Sequence, residues 1–467
     1  MLLSIEKLIY GGDGLARTAA DADGRSMAVF VPFVLPGERV EADLRREKAG
    51  FARGSVTQLI EASLVRIEAR CPYFRQCGGC HYQHIPYERQ LEFKAGILRE
   101  TLQRVAKIEL KSEIRVHASP PWHYRNRTRL QVRTMPEFGP EFALGYLRFG
   151  SHEFLAVREC PISSPLINRV MARLLEVGGL DCPPTIEELE LFADASDESL
   201  LAWAFCGEAA DRENLLRWAE AIQSEVPEII GMTFFSSRRW ASPRESSSRK
   251  SSSRKSSQRQ SAEHESSDDA TMELKPLGQS GAKSLRYRTK NDEYQVSAGA
   301  FFQVNRHLVD ELVSVVTGDA RGETALDLYA GVGLFSVPLA RFFHHIFGVE
   351  ASHTSHSDFV QNVPANVKAI AARTEDYFES DYLKSRLFRD RPDFVVMDPP
   401  RAGAGKDVIR SVVALGAPRV RYVSCDPATL ARDLVPLLAA GYRIEEAHLF
   451  DLFPQTFHIE SVMLLGR

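Results

Sequence analysis

The sequence predicts a multidomain α/β chain. It should have a small N-terminal β-barrel, a mixed α/β middle and a C-terminal domain built on a parallel sheet with helices on both faces. Three observations carry this. Residues 1–62 read as short strands broken by Gly- and Pro-containing turns. Residues 291–467 alternate apolar strand runs with helical patterns. Residues 63–290 mix both patterns, and the whole chain of 467 residues has room for about three domains.

In the first block, Gly11-Gly12, Asp13-Gly14 and Asp23-Gly24 punctuate the start. MAVFVPFVL, the turn Pro36-Gly37, RVEADLR and ARGSVTQLIEA follow. Strands this short and this evenly spaced predict a barrel. The stretch GGDGLARTAADADGRSMAVFVPFVLPGERVEADL resembles the TRAM domain, an OB-like barrel carried by RNA-modifying enzymes.

The middle block has helix candidates at YERQLEFKAGILRETLQRV and SPLINRVMARLLEV. Its strand candidates are RTRLQVRT, FALGYLRF and IEELELFAD. From Ser236 to about Gly281 it is interrupted by a Ser/Arg-rich insert with few apolar residues. Such a segment cannot bury enough surface to offset its ordering entropy and is expected to be a disordered loop. Its basic first part either touches RNA phosphates or is a solvated tether. In the last block, ALDLYA, HIFGVE, FVVMDPP and RVRYVSC are the strands.

Composition excludes some classes. The chain is 44% hydrophobic and 26% charged, with a formal net charge of −4. No apolar run approaches the roughly 18 residues of a membrane span. MLLSIEKLIYGGDG lacks the features of a signal peptide. The seven cysteines, an odd number without such a signal, predict a reducing, cytoplasmic setting.

TALDLYAGVGLFSVPLA is a strand, a tight turn and a helix start. Gly331 and Gly333 let the backbone approach a ligand. The next strand ends at Glu350, where a carboxylate can hold both ribose hydroxyls. A dinucleotide site would carry a third glycine where Ser336 stands. The form D-L-Y-A-G-V-G, with Asp327 four residues before Gly331, instead resembles the S-adenosylmethionine site of Rossmann-like methyltransferases. FVVMDPPR then places Asp398-Pro399-Pro400-Arg401 at the carboxyl end of a strand, where ligands bind. Arg401 is unsuited to stacking an amine-bearing base, which argues against N-methylation.

YVSCDPATLARDL ends a buried strand on Cys425 and starts a helix that Asp426 or Thr429 could cap. One reading is a buried, inert thiol. The other is a nucleophile. A thiolate adding to C6 of a pyrimidine gives C5 carbanion character, so C5 can take a methyl group; a base then removes the C5 proton and the thiolate leaves. The helix N-terminus is expected to lower the thiol pKa. The base candidate is Glu460 in DLFPQTFHIESVMLL, whose apolar neighbours predict burial and a raised pKa. His458 is its rival.

GAFFQVN (299–305), DLYAGVG, FVVMDPPRAG, VSCDPATLARDL and DLFPQTFHIESV together resemble the RNA uracil-C5 methyltransferase family. The resemblance implies Cys425 as nucleophile and Glu460 as general base. It also implies an S-adenosylmethionine site lined by Gln303, Tyr329, Glu350 and Asp398, with Asp376 of RTEDYF near the adenine. Leu334 departs from the polar Asn that many members carry there.

CPYFRQCGGC spaces Cys71, Cys77 and Cys80 unevenly, and Cys160 of VRECPIS is the obvious fourth ligand. Uneven thiol spacing of this kind suits a [4Fe-4S] cluster; a zinc site using His81 or His84 is the alternative. By the resemblance, barrel and cluster together imply 23S rRNA rather than tRNA as substrate. PWHYRNRTRLQVR offers Arg125, Arg127, Arg129 and Arg133, interleaved with Trp122, His123 and Tyr124, as RNA contacts, or else as a solvated strand face. A monomer is expected. The competing readings are the same chemistry on tRNA, a cofactor-dependent enzyme acting at another position, and a non-catalytic RNA-binding or ribosome-assembly factor.

Overall fold

The computed structural model describes residues 1–20, 24–48, 50–134, 142–236, 276–380 and 391–467. Strands β1 (Leu2–Leu8), β2 (Asp13–Arg17), β3 (Ala28–Pro32), β4 (Arg39–Lys48) and β5 (Phe51–Glu61) form a closed barrel, in the order β1-β2-β3-β5-β4. Side chains alternate across each strand, so Leu3, Ile5, Val29, Val31, Val40 and Ala42 fill the interior. The interior is narrow. A Cβ on Gly14 would lie 2.4 Å from the Val34 side chain, which is why glycine stands there.

Helix α1 (Tyr87–Ala106) and strand β6 (Ile114–His117) come next. A seven-stranded sheet then forms from β7 (Arg127–Arg133), β8 (Ala143–Leu147), β9 (Phe154–Ala156), β10 (Ile186–Ala193), β11 (Leu200–Cys206), β12 (Ile229–Ser236) and β13 (Pro276–Gly281), in the order β13-β12-β11-β10-β7-β8-β9. Helices α2 (Pro165–Val177) and α3 (Arg212–Glu225) pack on it. The Ser164 side chain accepts from Ile167 N–H and the Asp211 side chain from Glu213 N–H, so each helix start is capped, at about 1 kcal/mol apiece.

A hairpin of β14 (Ser284–Arg288) and β15 (Glu293–Ser297) leads into α4 (Val309–Thr317). The C-terminal domain continues β16 (Gly322–Leu328), α5 (Ser336–Leu339), β17 (Phe343–Glu350), α6 (His353–Asn362), β18 (Val367–Ala371), α7 (Thr374–Glu379), β19 (Phe394–Met397), α8 (Gly405–Leu415), β20 (Arg419–Ser424), α9 (Pro427–Ala439), β21 (Arg443–Phe450) and β22 (Glu460–Gly466). Its sheet runs β18-β17-β16-β19-β20-β22-β21-β6, and only β22 is antiparallel to its neighbours.

Two expectations are redrawn. The segment 63–290 is not a single block: β6 adds a parallel edge to the C-terminal sheet beside β21, and α1 packs against α9. The apolar face of α1 (Ile97, Leu98, Leu102) is buried in the same core as Leu430, Leu434 and Leu437 of α9, so burial binds it to the C-terminal domain. The Ser/Arg-rich insert falls mostly at 237–275, outside the described residues. Its expected end, Pro276–Gly281, is strand, with Pro276 opposite Phe235. The insert therefore leaves and rejoins the sheet on adjacent antiparallel strands. Among the described residues no helix is long and apolar enough to cross a membrane.

Candidate active site

β16 is flanked by β17 on one side and β19 on the other, so the chain order reverses at its carboxyl end. Ligands bind at such switch points in open α/β sheets. The Gly331–Gly333 turn lies there, with φ of +57° and +95°. A Cβ on Gly333 would lie 2.7 Å from the Phe359 ring, so glycine is needed for space as well as for conformation. Tyr329 also takes a left-handed conformation, φ +64°, which is costly for a bulky residue and is met mainly where function requires it.

The acidic residues of this half hold the turn. Glu350, at the end of β17, accepts from Gly331 N–H at 2.8 Å and from Ser352 N–H at 2.6 Å. Asp327 accepts from Ser336 Oγ at 2.6 Å, so the serine in place of a third glycine braces the turn from beneath. Burial pushes the Asp327 carboxyl up to about 7, with Asp398 and Glu350 adding to it. Gln303 is buried, its carbonyl bonded by Asn126 Nδ2 at 3.2 Å. Asp376 sits in the first turn of α7, and the Tyr329 phenol bonds Thr374 of the same turn. The Leu334 departure is an apolar filling: its side chain is buried and its carbonyl accepts from Tyr294 Oη at 3.1 Å.

The other half of the rim is built by β19, β20 and β22. Ser424 pairs with Ser461 as the last step of the β20–β22 ladder, so Cys425 and Glu460 lie just beyond it, near enough for the Glu460 charge to act on the thiol. Asp398 follows β19 on the other flank of β20. Glu460 is buried, and burial together with Asp398 pushes its carboxyl well above the usual range, while Arg401 opposes this. Burial also raises Asp398. Two buried carboxyls side by side cannot both ionise cheaply, so the pair holds a proton.

The thiol departs from expectation. Burial first, then Glu460 and Asp398, push the Cys425 thiol well above its ordinary value. Asp426 caps the helix that starts beside the thiol. Its carboxylate accepts from Ala428 and Thr429 N–H, each at 2.9 Å, and adds a further negative charge beside the thiol. Arg401 favours the ionised form of both Cys425 and Glu460. Its role was legible only as the fourth residue of Asp-Pro-Pro-Arg.

His458 is kept neutral by burial, with its ring against Phe457 (4.3 Å) and Phe453 (5.4 Å). The loop before Glu460 is pinned from several sides. Gln90 bonds both the side chain and the N–H of Gln455, at 3.0 and 2.9 Å, and the Gln455 carbonyl accepts from His81 and Tyr82 N–H. Lys94, fully buried, reaches Asp451 at 2.6 Å and the Phe453 carbonyl at 3.0 Å. None of these clamps had a sequence signal.

Cys71, Cys77, Cys80 and Cys160 are free thiols. They interact: Cys80 is raised by burial and then by Cys160, Cys77 and Cys71, and Cys77 is pushed up to about 11 by burial, with Cys160 and Cys71 contributing. Among the described residues, no three His, Cys, Asp or Glu side chains converge as on a single ion. His81 and His84 are occupied elsewhere. The His81 ring packs on Phe457 at 4.7 Å, and the His84 ring nitrogen lies 3.4 Å from the Val34 carbonyl.

In the arginine strand, Arg127 and Arg129 of β7 pair with the buried Glu190 at 2.5 and 2.9 Å, and the Arg125 guanidinium bonds the Arg127 carbonyl. The charge of Arg127 and Arg129 is thus engaged in fixing β7 on β10.

The family described as tRNA (Uracil-5-)-methyltransferase matches residues 279–467. A 23S rRNA (uracil(1939)-C(5))-methyltransferase RlmD of Halomonas elongata is 32% identical, covering 99% of this chain and 89% of its own. An uncharacterized RNA methyltransferase of Aquifex aeolicus is 30% identical over 99% and 97%. The crystal structure of the Pyrococcus abyssi tRNA (uracil-54, C5)-methyltransferase in complex with S-adenosyl-L-homocysteine superposes with a TM-score of 0.69 at 23% identity, covering 99% of both chains.

Proposed function

The chain belongs to the RNA uracil-C5 methyltransferase family, and from that premise we propose that it methylates C5 of a uridine in 23S rRNA through a covalent bond to Cys425. The observation that carries the proposal is the closeness of Cys425 and Glu460 just beyond the β20–β22 ladder, on the rim that also bears the Gly331–Gly333 turn.

The residues divide the work. Cys425 Sγ gives its proton to solvent and bonds C6 of the uracil, and the C5=C6 electrons move toward the O4 carbonyl. S-adenosylmethionine, when bound, supplies an electrophilic methyl group to C5 and leaves as S-adenosylhomocysteine. Glu460, in the ionised form that leaves the shared proton on Asp398, then takes the C5 proton. The C–H electrons restore C5=C6, and the S–C6 bond breaks to return the Cys425 thiolate. Arg401 stabilises the ionised forms that both steps need. Gln303, Asp327, Tyr329, Glu350, Asp376 and Asp398, with Gly331 and Gly333, would hold the methyl donor. Glu350 already binds the Gly331 amide and so presents its carboxylate beside the turn.

Cys71, Cys77, Cys80 and Cys160 would hold a [4Fe-4S] cluster. Their donor set is all thiol, Cys160 and Cys71 bear on both Cys77 and Cys80, and the uneven spacing of the thiols suits a polynuclear centre. The cluster would neutralise four thiolates and cross-link the loop before α1 to the loop after β9. The methyl-transfer scheme needs no electron from it.

Substrate choice rests on the relatives. The barrel does not decide between rRNA and tRNA, because a protein described as a tRNA enzyme shares the whole-chain fold. The test is to map 5-methyluridine in 23S rRNA and tRNA from cells lacking this protein, then restore wild type or Cys425→Ala. Loss of one 23S site, restored only by wild type, is expected. Loss confined to tRNA would overturn the substrate, and restoration by Cys425→Ala would overturn the mechanism.

A further inference from the structure

One barrel side chain reaches the reacting residues. Tyr10 follows β1, and its hydroxyl donates to the Cys425 carbonyl at 3.2 Å. Its ring meets Phe457, three residues before Glu460, edge-on at 5.8 Å. The turn behind it is built for this approach. Gly11 and Gly12 have φ of +104° and +89°, and a Cβ on Gly12 would lie 3.2 Å from the His81 ring, which itself packs on Phe457. Tyr10 is thus the end of a layer that continues through Phe457 to His81.

We propose that Tyr10 is a positioning residue for the reaction, by which the N-terminal barrel fixes the peptide of Cys425 and so the direction in which its thiol meets C6 of the target base. This rests on the reading of Cys425 as the nucleophile. Cys425 has no β-ladder partner through its carbonyl, because β20 ends at Ser424. The peptide at the start of the Asp426-capped helix is held on its N–H side by Ser424 Oγ at 3.3 Å, and Tyr10 holds its carbonyl side; a small misdirection of an attacking atom is expensive. The phenol suits the task. Burial, followed by Asp426 and Cys425, holds it protonated, so it remains a donor throughout. The barrel is therefore a wall of the catalytic pocket as well as a module beside it.

The test uses the full-length protein. Tyr10→Phe keeps the ring and removes the donor; Tyr10→Ala removes both. Three quantities are measured for each: RNA affinity, single-turnover methyl transfer at saturating RNA, and the rate of covalent capture of an RNA carrying 5-fluorouridine at the target. A hydrogen bond of this kind is worth about two- to tenfold. Tyr10→Phe should slow transfer and capture by that same factor with RNA affinity unchanged, and Tyr10→Ala should slow both further. Wild-type rates in Tyr10→Phe would overturn the proposal. So would a loss of RNA affinity with unchanged saturated rates, which would make Tyr10 an RNA contact. Cys425→Ala, run alongside, separates the two readings: capture or methylation by that variant would remove the nucleophile itself, whatever Tyr10 does.

Discussion

Two regions of this molecule are built around cysteine, and they use it oppositely. Cys425 stands alone on the rim of the C-terminal sheet among carboxyls, with burial first and then Glu460, Asp398 and Asp426 raising its pKa and Arg401 opposing them. Cys71, Cys77, Cys80 and Cys160 stand among one another, and each thiol is part of the next one's environment. The difference is in what relieves the charge. A lone thiolate facing carboxyls gains most by forming a carbon–sulfur bond. Four neighbouring thiolates gain most from a shared cationic centre. On the proposed reading, the same side chain serves transient chemistry in one place and permanent ligation in the other.

The sharpest way to break this comparison is Cys425→Ala. It should reduce methylation by at least about a thousandfold. The melting temperature should stay within a few degrees, because no core contact depends on the thiol. An active variant would mean that the rim cysteine is merely packed.

Glu460→Gln should lower turnover by about a hundredfold or more while leaving adduct formation possible, so methylated RNA should accumulate attached to the protein. Denaturing gels would show this as a slow band. Its absence, with turnover intact, would pass the role of base to His458. The same variant carries a stability prediction. The folded-state pKa of Glu460 lies above its unfolded value, so the folded state holds a proton that the unfolded state has lost. Wild-type stability should therefore fall as pH rises from near the unfolded carboxylate value toward the folded one. Gln has no proton to lose. The variant should melt higher than wild type at pH 8, and the gap should close toward pH 4.

For the other region, Cys80→Ser should lose bound iron and lower the melting temperature by about 5–10 °C, since ligation energy is folding energy. Iron analysis and thermal melts check this. A variant that keeps its melting temperature and never bound metal in the wild type would reduce the four thiols to packing.

Much of this was legible in the sequence, for identifiable reasons. The strands FVVMDPP and RVRYVSC are apolar because they are buried on both faces, and their ends must carry the site. Uneven cysteine spacing marked the second region. What was hidden depends on partners distant in sequence. Arg127 and Arg129 looked free until Glu190, about sixty positions on, was found beneath them. Helix α1 read as part of the middle block because nothing local shows that Gln90 and Lys94 hold Gln455 and Asp451. The thiol pKa was misjudged for a related reason: burial and the carboxyls of Glu460 and Asp398, distant in sequence, raise it, and Asp426, which caps the helix, adds to them.

The smallest effect tests the charge that opposes this. Arg401 is the cation that acts on both Cys425 and Glu460, and it lies on the loop after β19, outside the strand pair that carries them. Arg401→Gln leaves both groups in place and removes the charge that favours their ionised forms. The methylation rate of wild type should rise with pH, because the thiol must lose a proton that burial and three carboxyls retain. Without Arg401 the same rise should occur at higher pH, with a loss of about tenfold at neutrality that alkaline buffer recovers. Single-turnover rates measured across pH 6 to 9.5 distinguish the cases. A pH-independent loss would make Arg401 an RNA contact. A curve displaced to higher pH with the same slope would show that one guanidinium tunes the reactivity of the lone cysteine, where the four neighbouring thiols have only one another.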